Sequence, residues 1–434
     1  MSDGRGEGPP DMSTRGSSPK DGGRAGERAG RRGAMHEWAD ALDSSAVLAE
    51  VAAQARHSGW LALDTEFMGE GRYRTLLCLV QLAVPDHTAG LRIELIDPLR
   101  EDLDGGPLAE VLADPAIELV LHAGRQDIAL LRRRFQTPVR NVFDTQLAAG
   151  FAGLPAQTSY ETLLAELLGV RVSKSASFTR WDSRPLSHEQ LAYAREDVVH
   201  LLELARELQR RLGALGRLQW AREECAALEH SSDERDEDAI YARLPRIRGL
   251  SGVSQAIARE LVAWRERTAA TQNRNVQSVL PDAALVELAK RRPTDERELA
   301  QIRGLAQGNL RRRGAELIDV VRSGAERPVP KLPPTERGGP PDPDDAPLVA
   351  LCEALVRARA REAGLAYELI AARADLQAIV AAARAGRATG APHEPDVRTL
   401  RGWRRELVGG ELLELLDGRV SLSVRGERLE IGPR

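Results

Sequence analysis

The sequence predicts an α/β protein: a mixed sheet flanked by helices, followed by two all-α helical domains. Three observations carry that expectation. Three strand-like runs follow one another between residues 60 and 96, and apolar strands then alternate with helical patterns. From residue 240 the apolar residues recur at helical spacing, with no convincing strand before residue 420. Two polar segments, HSSDERDED (230–238) and ERPVPKLPPTERGGPPDPDDAP (326–347), separate the blocks.

Length and composition set the bounds. At 434 residues the chain is too long for one core. A net charge of −4 gives no overall nucleic-acid signature. Cys78, Cys225 and Cys352 form no CxxC pair and no disulfide framework, which suits a reducing cytoplasm. No apolar run approaches the roughly 18 residues of a membrane span. The N-terminus lacks the apolar core of a signal peptide. A monomer without a membrane partner is expected.

The elements follow in order. Residues 1–35 are Gly, Ser, Arg, Asp and Pro without periodicity and read as a disordered tail, with Met35 an alternative start. The first globular block is 36–229. A helix, Trp38 to Ala53, leads to a strand beginning at Leu61. Further strands are expected at Leu76 to Val84 and Leu91 to Ile96, the latter closed by Asp97-Pro98. A helix near Leu108 to Leu112, a strand from Ile117 to Leu121, a helix from Gln126 to Arg134 and a short strand ending at Phe143 come next. Helices fill the rest, including one long amphipathic helix in RPLSHEQLAYAREDVVHLLELARELQRRL. Ser187 and Gln190 form a capping box there, and Leu186 with Leu191 a hydrophobic staple. A linker (230–239), a helical block (240–325), a Pro-rich linker (326–347) and a last helical block (348–434) complete the chain, with VSLSVRGERLEIG as a small closing hairpin.

The first strand poses the chemical question. In LALDTEF, Leu61, Leu63, Thr65 and Phe67 share one face by period two, while Asp64 and Glu66 share the other. Two carboxylates this close repel, and burying either alone is costly. A solvated strand face explains the pair; so does a pair held for a cation. Asp127 opens a helix just after a buried strand, where the helix dipole alone would favour an acid. Tyr193 and Asp197 stand four apart and project from one helix face. Asp144 in FDTQL fits a helix N-cap better than a metal role. Asp97 and Asp182 read as turn residues, and His122 as a packed histidine at a strand end. Trp181 and Arg184 either contact the substrate or pack the loop before Tyr193.

Taken together, DTEF (64–67), the segment around Asp127 and YAREDV (193–198) resemble the three motifs of the DEDD superfamily of 3′–5′ exonucleases, which has a ribonuclease H-like fold. Tyr four residues before the last Asp matches the tyrosine subgroup; the histidine form would need His at the position of Ala192. LHAGRQD, VFDTQLAAGFAG and WDSRPLSHEQLAYAREDV, with the helical blocks after them, resemble the ribonuclease D family from about Trp38 to the end. The resemblance implies hydrolysis assisted by two divalent ions, Mg²⁺ or Mn²⁺, that activate water and stabilise the attacking and leaving oxygens. Hard ions of this kind take carboxylate oxygens. Asp64 would bridge both ions, Glu66 and Asp197 would serve the water-activating one, Asp127 the other, and Tyr193 would orient the water. The implied activity is a 3′–5′ exoribonuclease that releases 5′-mononucleotides and trims transfer-RNA precursors and other stable RNAs. The rival readings are a DNA 3′–5′ exonuclease and a catalytically silent nucleic-acid-binding scaffold.

The block 240–325 resembles an HRDC domain, and 348–434 a related helical domain. Charge divides between the blocks. Residues 36–229 hold 29 acidic and 20 basic side chains, a net of −9; residues 240–325 hold 16 basic and 9 acidic, a net of +7. An acidic catalytic block needs help in holding a polyanion, so Arg311, Arg312 and Arg313 are candidate RNA contacts. The competing account is a solvated face that repairs charge balance.

Overall fold

The computed structural model describes residues 45–172, 180–305, 307–332, 343–390, 393–426 and 428–433. The expected tail (1–35) and the expected start of the first helix at Trp38 lie outside them. Helix α1 (Ser45–Ser58) ends at Gly59, whose φ of +73° favours glycine, and the chain turns into β1 (Trp60–Met68). β1 pairs antiparallel with β2 (Leu76–Asp86), and β2 with β3 (Gly90–Ile96). After α2 (Gly106–Ala113), β4 (Glu118–Leu121) lies parallel beside β1. Helix α3 (Arg125–Phe135) then crosses to β5 (Val142–Asp144), parallel to β4. The order β3-β2-β1-β4-β5 is the expected mixed sheet. Its meander half needs only tight turns, while the parallel half requires crossovers.

Strand alternation assigns the two faces. Leu61 and Leu63 enter one core with Val80, Leu82, Leu119 and Leu121, covered by α1, α2 and α3. Ala62, Ala83, Val120 and Phe143 enter the other. That second face is covered by α4 (Thr145–Phe151) and by helices further on. The single long helix expected after residue 186 is two helices, α5 (His188–Val199) and α6 (Leu201–Ala214). They break at His200, with φ −109° and ψ 1°. Val198, Leu201, Leu202 and Ala205 still reach one core. The apolar stripe survives the kink, so periodicity does not reveal it. Helix α7 (Leu218–Leu228) follows.

Helices α8 (Glu237–Ala242), α9 (Gly252–Gln272), α10 (Asp282–Arg291) and α11 (Gln307–Ala325) surround a separate core that includes Leu261, Leu285, Leu288 and Leu317. The charged stretch before them is packed down rather than extended. Ser231 is buried, Arg132 donates to its carbonyl at 2.7 Å, and Arg133 pairs with Asp233. The last block holds α12 (Ala346–Ala363), α13 (Arg373–Thr389), α14 (Gly410–Leu416) and the hairpin β6 (Val420–Arg425) and β7 (Arg428–Pro433). Its Val349, Cys352, Leu355, Trp403 and Leu412 share the core of Phe143 and Phe151. Trp403 meets Phe151 edge-on at 5.1 Å, and the Arg404 guanidinium grips both oxygens of Glu224 on α7. This block completes the sheet's second face. Among the described residues no helix is long and apolar enough to cross a membrane.

Candidate active site

β1 delivers Asp64 and Glu66 to the face opposite Leu61 and Leu63, as alternation requires. Asp64 stands across from Gln81 and Glu66 across from Leu79. A register shift between Glu66 and Phe67 ends the regular pairing, and Phe67 is exposed instead of joining the Leu61 face. Bulges of this kind redirect the side chains beside them. The parallel neighbour β4 runs out at Leu121, and α3 starts just beyond it with Asp127 buried in its first turn. Gly124 makes that close start feasible: a Cβ there would come within 2.7 Å of the Leu121 side chain.

Asp144 does more than cap α4. One oxygen accepts from the N–H groups of Gln146 (2.9 Å) and Leu147 (3.0 Å). The carboxylate also accepts from Ala123 (3.3 Å) and Gly124 (2.8 Å) in the turn before Asp127. Four N–H groups leave it committed to structure, in keeping with the N-cap reading, and it fixes the second motif against the fourth helix. His122 Nδ1 lies 3.0 Å from Thr145 Oγ1, whose own hydroxyl donates to Leu121 O. His122 Nδ1 is therefore the donor in that contact.

Tyr193 and Asp197 ride on α5. The capping box is present, with Gln190 N–H donating to Ser187 Oγ at 3.2 Å and Ser187 N–H to Gln190 Oε1 at 2.9 Å. Leu186 and Leu191 are both buried at the entry. A cleft of about 310 Å³ is lined by Asp64, Tyr193 and Asp197 together with His122, Gln146 and Tyr160. Trp181 and Arg184 pack the approach. Trp181 is 6 % exposed, its ring 6.2 Å from that of Tyr193. Arg184 binds both oxygens of Asp97 at 2.6 Å and the Cys78 carbonyl at 2.7 Å. Of their two sequence readings, loop packing is what these contacts express. Asp97 and Asp182 are turn residues that also hold arginines.

Burial raises all four carboxyls, and at Asp64 and Glu66 the charges of the other acids add to it. Burial, then the charges of Asp127, Asp197 and Glu66, push the Asp64 carboxyl well above its usual range. Glu66 is pushed up to about 8 by burial and by Asp197 and Asp127. Asp197 rises to about 7, mainly through burial, although a hydrogen bond from Tyr193 works the other way. Asp127 rises to about 6, burial outweighing the hydroxyl of Thr65 that donates to it. Burial and the same carboxylates raise the Tyr193 phenol, so it is neutral at physiological pH.

Such a cluster fits divalent cations. Its donors are hard oxygens, and its like charges destabilise one another until a cation neutralises them. Asp197 Oδ2 is buried without a hydrogen-bond partner. As placed, no three His, Cys, Asp or Glu side chains among the described residues form a ready cage. Asp127 accepts a hydrogen bond from the Thr65 hydroxyl. Sequence reasoning missed Thr65 as a partner of Asp127, and missed Gln81. Gln81 is fully buried opposite Asp64 with neither amide atom hydrogen-bonded. Its signal was available: one amide interrupts the apolar run LLCLVQLAV. On α11, Arg311 and Arg312 are exposed. Arg313 is turned on to the Trp264 ring at 5.8 Å and donates to Gln272, apart from its two neighbours.

Residues 40–213 match the 3′–5′ exonuclease family, and residues 254–321 the HRDC domain family. Fold and these matches define a 3′–5′ exonuclease of the DEDD type, a family that depends on divalent metal. The chain is 36% identical over 389 residues to ribonuclease D of Gluconacetobacter diazotrophicus, covering 88% of this chain and 94% of that one. It is 34% identical over 391 residues to ribonuclease D of Acidiphilium cryptum, covering 90% and 96%. The chain belongs to the ribonuclease D family and is an exoribonuclease. A structure of Escherichia coli RNase D, an exoribonuclease involved in structured RNA processing, superposes with a TM-score of 0.73 at 27% identity, covering 85% of this chain and 96% of that one. The catalytic core of RRP6 from Trypanosoma brucei shares the fold, with a TM-score of 0.52 at 23% identity over 65% of this chain and 78% of that one.

Proposed function

We propose that this exoribonuclease trims the 3′ ends of transfer-RNA precursors and other stable RNAs, one 5′-mononucleotide at a time. The observation that carries the site assignment is that burial raises Asp64, Glu66, Asp127 and Asp197 alike, four acids from three distant motifs, and that the charges of the others raise Asp64 and Glu66 further. Two divalent ions, Mg²⁺ or Mn²⁺, would be held by these residues, Asp64 serving both. When bound, they supply an activated water and neutralise charge on the attacking and leaving oxygens. Tyr193 holds its phenol proton at the pH of reaction and orients the water as a hydrogen-bonding group rather than as a base. Arg311 and Arg312 offer exposed positive charge to the phosphates of longer RNA. Three free, buried cysteines fit a reducing cytoplasm.

The test uses 5′-labelled RNA and DNA of equal sequence with Mg²⁺, Mn²⁺ or a chelator. Stepwise shortening of RNA alone, lost on chelation, is the expected result. Preferential shortening of DNA would overturn the substrate assignment, and binding without shortening would favour a silent scaffold. Transfer-RNA precursors with extended 3′ ends then test the substrate directly: trimming should stop near the mature end.

A further inference from the structure

We infer that the HRDC block braces the catalytic centre through the loop between β1 and β2, and that Tyr73 and Asp182 are positioning residues for the reaction. The inference rests on the assignment of Tyr193 to the site. Residues 69–75 join the strand that carries Asp64 and Glu66 to β2. The loop contains Gly69 and Gly71, and Gly71 has a φ of +71°. Such a loop is ordered by what its other side chains touch.

Those contacts lead in two directions. Toward the HRDC block, the Tyr73 hydroxyl bonds Glu266 on α9 at 3.1 Å. Glu266 is 2 % exposed and holds the Arg235 guanidinium at 2.5 and 3.1 Å. Arg235 also lies over the Tyr73 ring at 5.4 Å. Two backbone contacts clamp the same loop: Tyr73 N–H donates to Asn273 Oδ1 at 3.3 Å, and Asn275 N–H to Gly71 O at 3.1 Å. Toward the site, Arg72 donates to Asp182 at 3.0 Å, and Arg180 holds the same carboxylate at 2.8 and 3.1 Å. Asp182 fixes the backbone next to Trp181, whose buried ring packs against Tyr193. Arg184 locks that backbone from the other side, donating to Trp181 O at 2.8 Å.

The physical logic is one of few alternatives. A buried carboxylate stripped of its partners is strongly unfavourable, so Glu266 holds Tyr73 and Arg235 in one arrangement. Arg72 and Tyr73 are adjacent and cannot move independently. The position of α9 therefore reaches Trp181, and through it the Tyr193 ring, without any RNA on the HRDC block. A block that only bound RNA would need no such contact with the loop that ends the catalytic strand.

The test is single-turnover cleavage of a short single-stranded RNA, with rate at saturation and half-saturation measured separately. Four variants of the full chain are compared: Tyr73→Phe, Asp182→Asn, Tyr193→Phe and the double variant Asp182→Asn with Tyr193→Phe. Asp182→Asn should slow cleavage by up to about a hundredfold, the scale of a small misplacement, with half-saturation nearly unchanged. Tyr73→Phe should slow it about twofold to tenfold, the scale of one hydrogen bond. Asp182→Asn should add almost nothing once the Tyr193 hydroxyl is gone, because it acts through that group. A purely structural role would lower the melting temperature and leave the two substitutions independent. The brace is overturned if Asp182→Asn and Tyr193→Phe multiply, or if Tyr73→Phe weakens only the binding of long RNA. If Tyr193→Phe alone is fully active, the assignment of Tyr193 fails instead.

Discussion

Glu66→Gln should stabilise the metal-free protein while removing its activity. In the folded chain Glu66 titrates at about 8 instead of 4.5, through burial and the charges of Asp197 and Asp127. A tenfold change in the binding of a proton is worth about 1.4 kcal/mol, so ionising Glu66 in the fold carries a ceiling of about 5 kcal/mol. The amide of Gln retains about 1–3 kcal/mol of its own burial cost. The expected gain at pH 8 is then about 2 kcal/mol, or about 4–8 °C for a domain of this size. The sign follows from linkage. A carboxyl whose folded pKa is raised binds its proton more tightly in the fold, so its favourable contribution is complete below the unfolded value, near 4.5. That contribution is lost as pH rises through about 8. Wild-type protein in chelator should accordingly lose stability between those limits, and the variant should lose less. Adding Mg²⁺ should restore the wild type and help the variant little. Differential scanning fluorimetry in EDTA from pH 4 to 9, with and without added Mg²⁺, measures all of this. A variant that melts below wild type at pH 8, or a difference that ignores pH, would refute the reasoning.

Other outcomes follow from the same geometry. Asp64→Asn, Asp127→Asn and Asp197→Asn should each cut turnover by at least about a hundredfold, since losing even a group that only supports a metal ligand costs about 10–100-fold; circular dichroism should report intact folds, and near-normal turnover by Asp64→Asn would sink the two-ion reading. Tyr193→Phe should slow the chemical step about tenfold to a hundredfold with RNA binding unchanged, as read by single-turnover rates against equilibrium binding. Arg311→Ala with Arg312→Ala should flatten the plot of log affinity against log salt by roughly 0.7–0.9 per lost phosphate contact on a structured RNA. An unchanged slope would return these arginines to a solvated face. Arg313→Ala should instead cost about 0.5–1 kcal/mol of stability, because its guanidinium lies on Trp264.

Local pattern was enough to set the sheet and the faces on which the acids stand, while the resemblance of the motifs singled those acids out from their ordinary readings. Period-two alternation put Asp64 and Glu66 on one face because pleating leaves a strand residue only two directions. The four-residue spacing of Tyr193 and Asp197 aligned them because a helix turn is about 3.6 residues. Asp144 announced its cap through FDTQL, since an N-cap is satisfied within three residues of chain. These rules act over a few residues, so a short stretch of chain expresses them in full. What lay beyond was decided by contacts between residues far apart in the chain. Nothing in the stripe of α5 and α6 marks the break at His200, because both halves bury the same side. The last helical block reads as an independent domain, yet Trp403 and Leu412 fill the core begun by Phe143 and Phe151. Helical periodicity says that a face is buried and is silent about what buries it. Three adjacent arginines read as one basic run, but successive helix positions point about 100° apart, and only the fold brings Trp264 beneath Arg313. The meeting of Tyr73 with Glu266, 193 residues later, is of the same kind. A side chain's partner across such a distance is set by how whole elements pack, and packing is a property of the assembled chain.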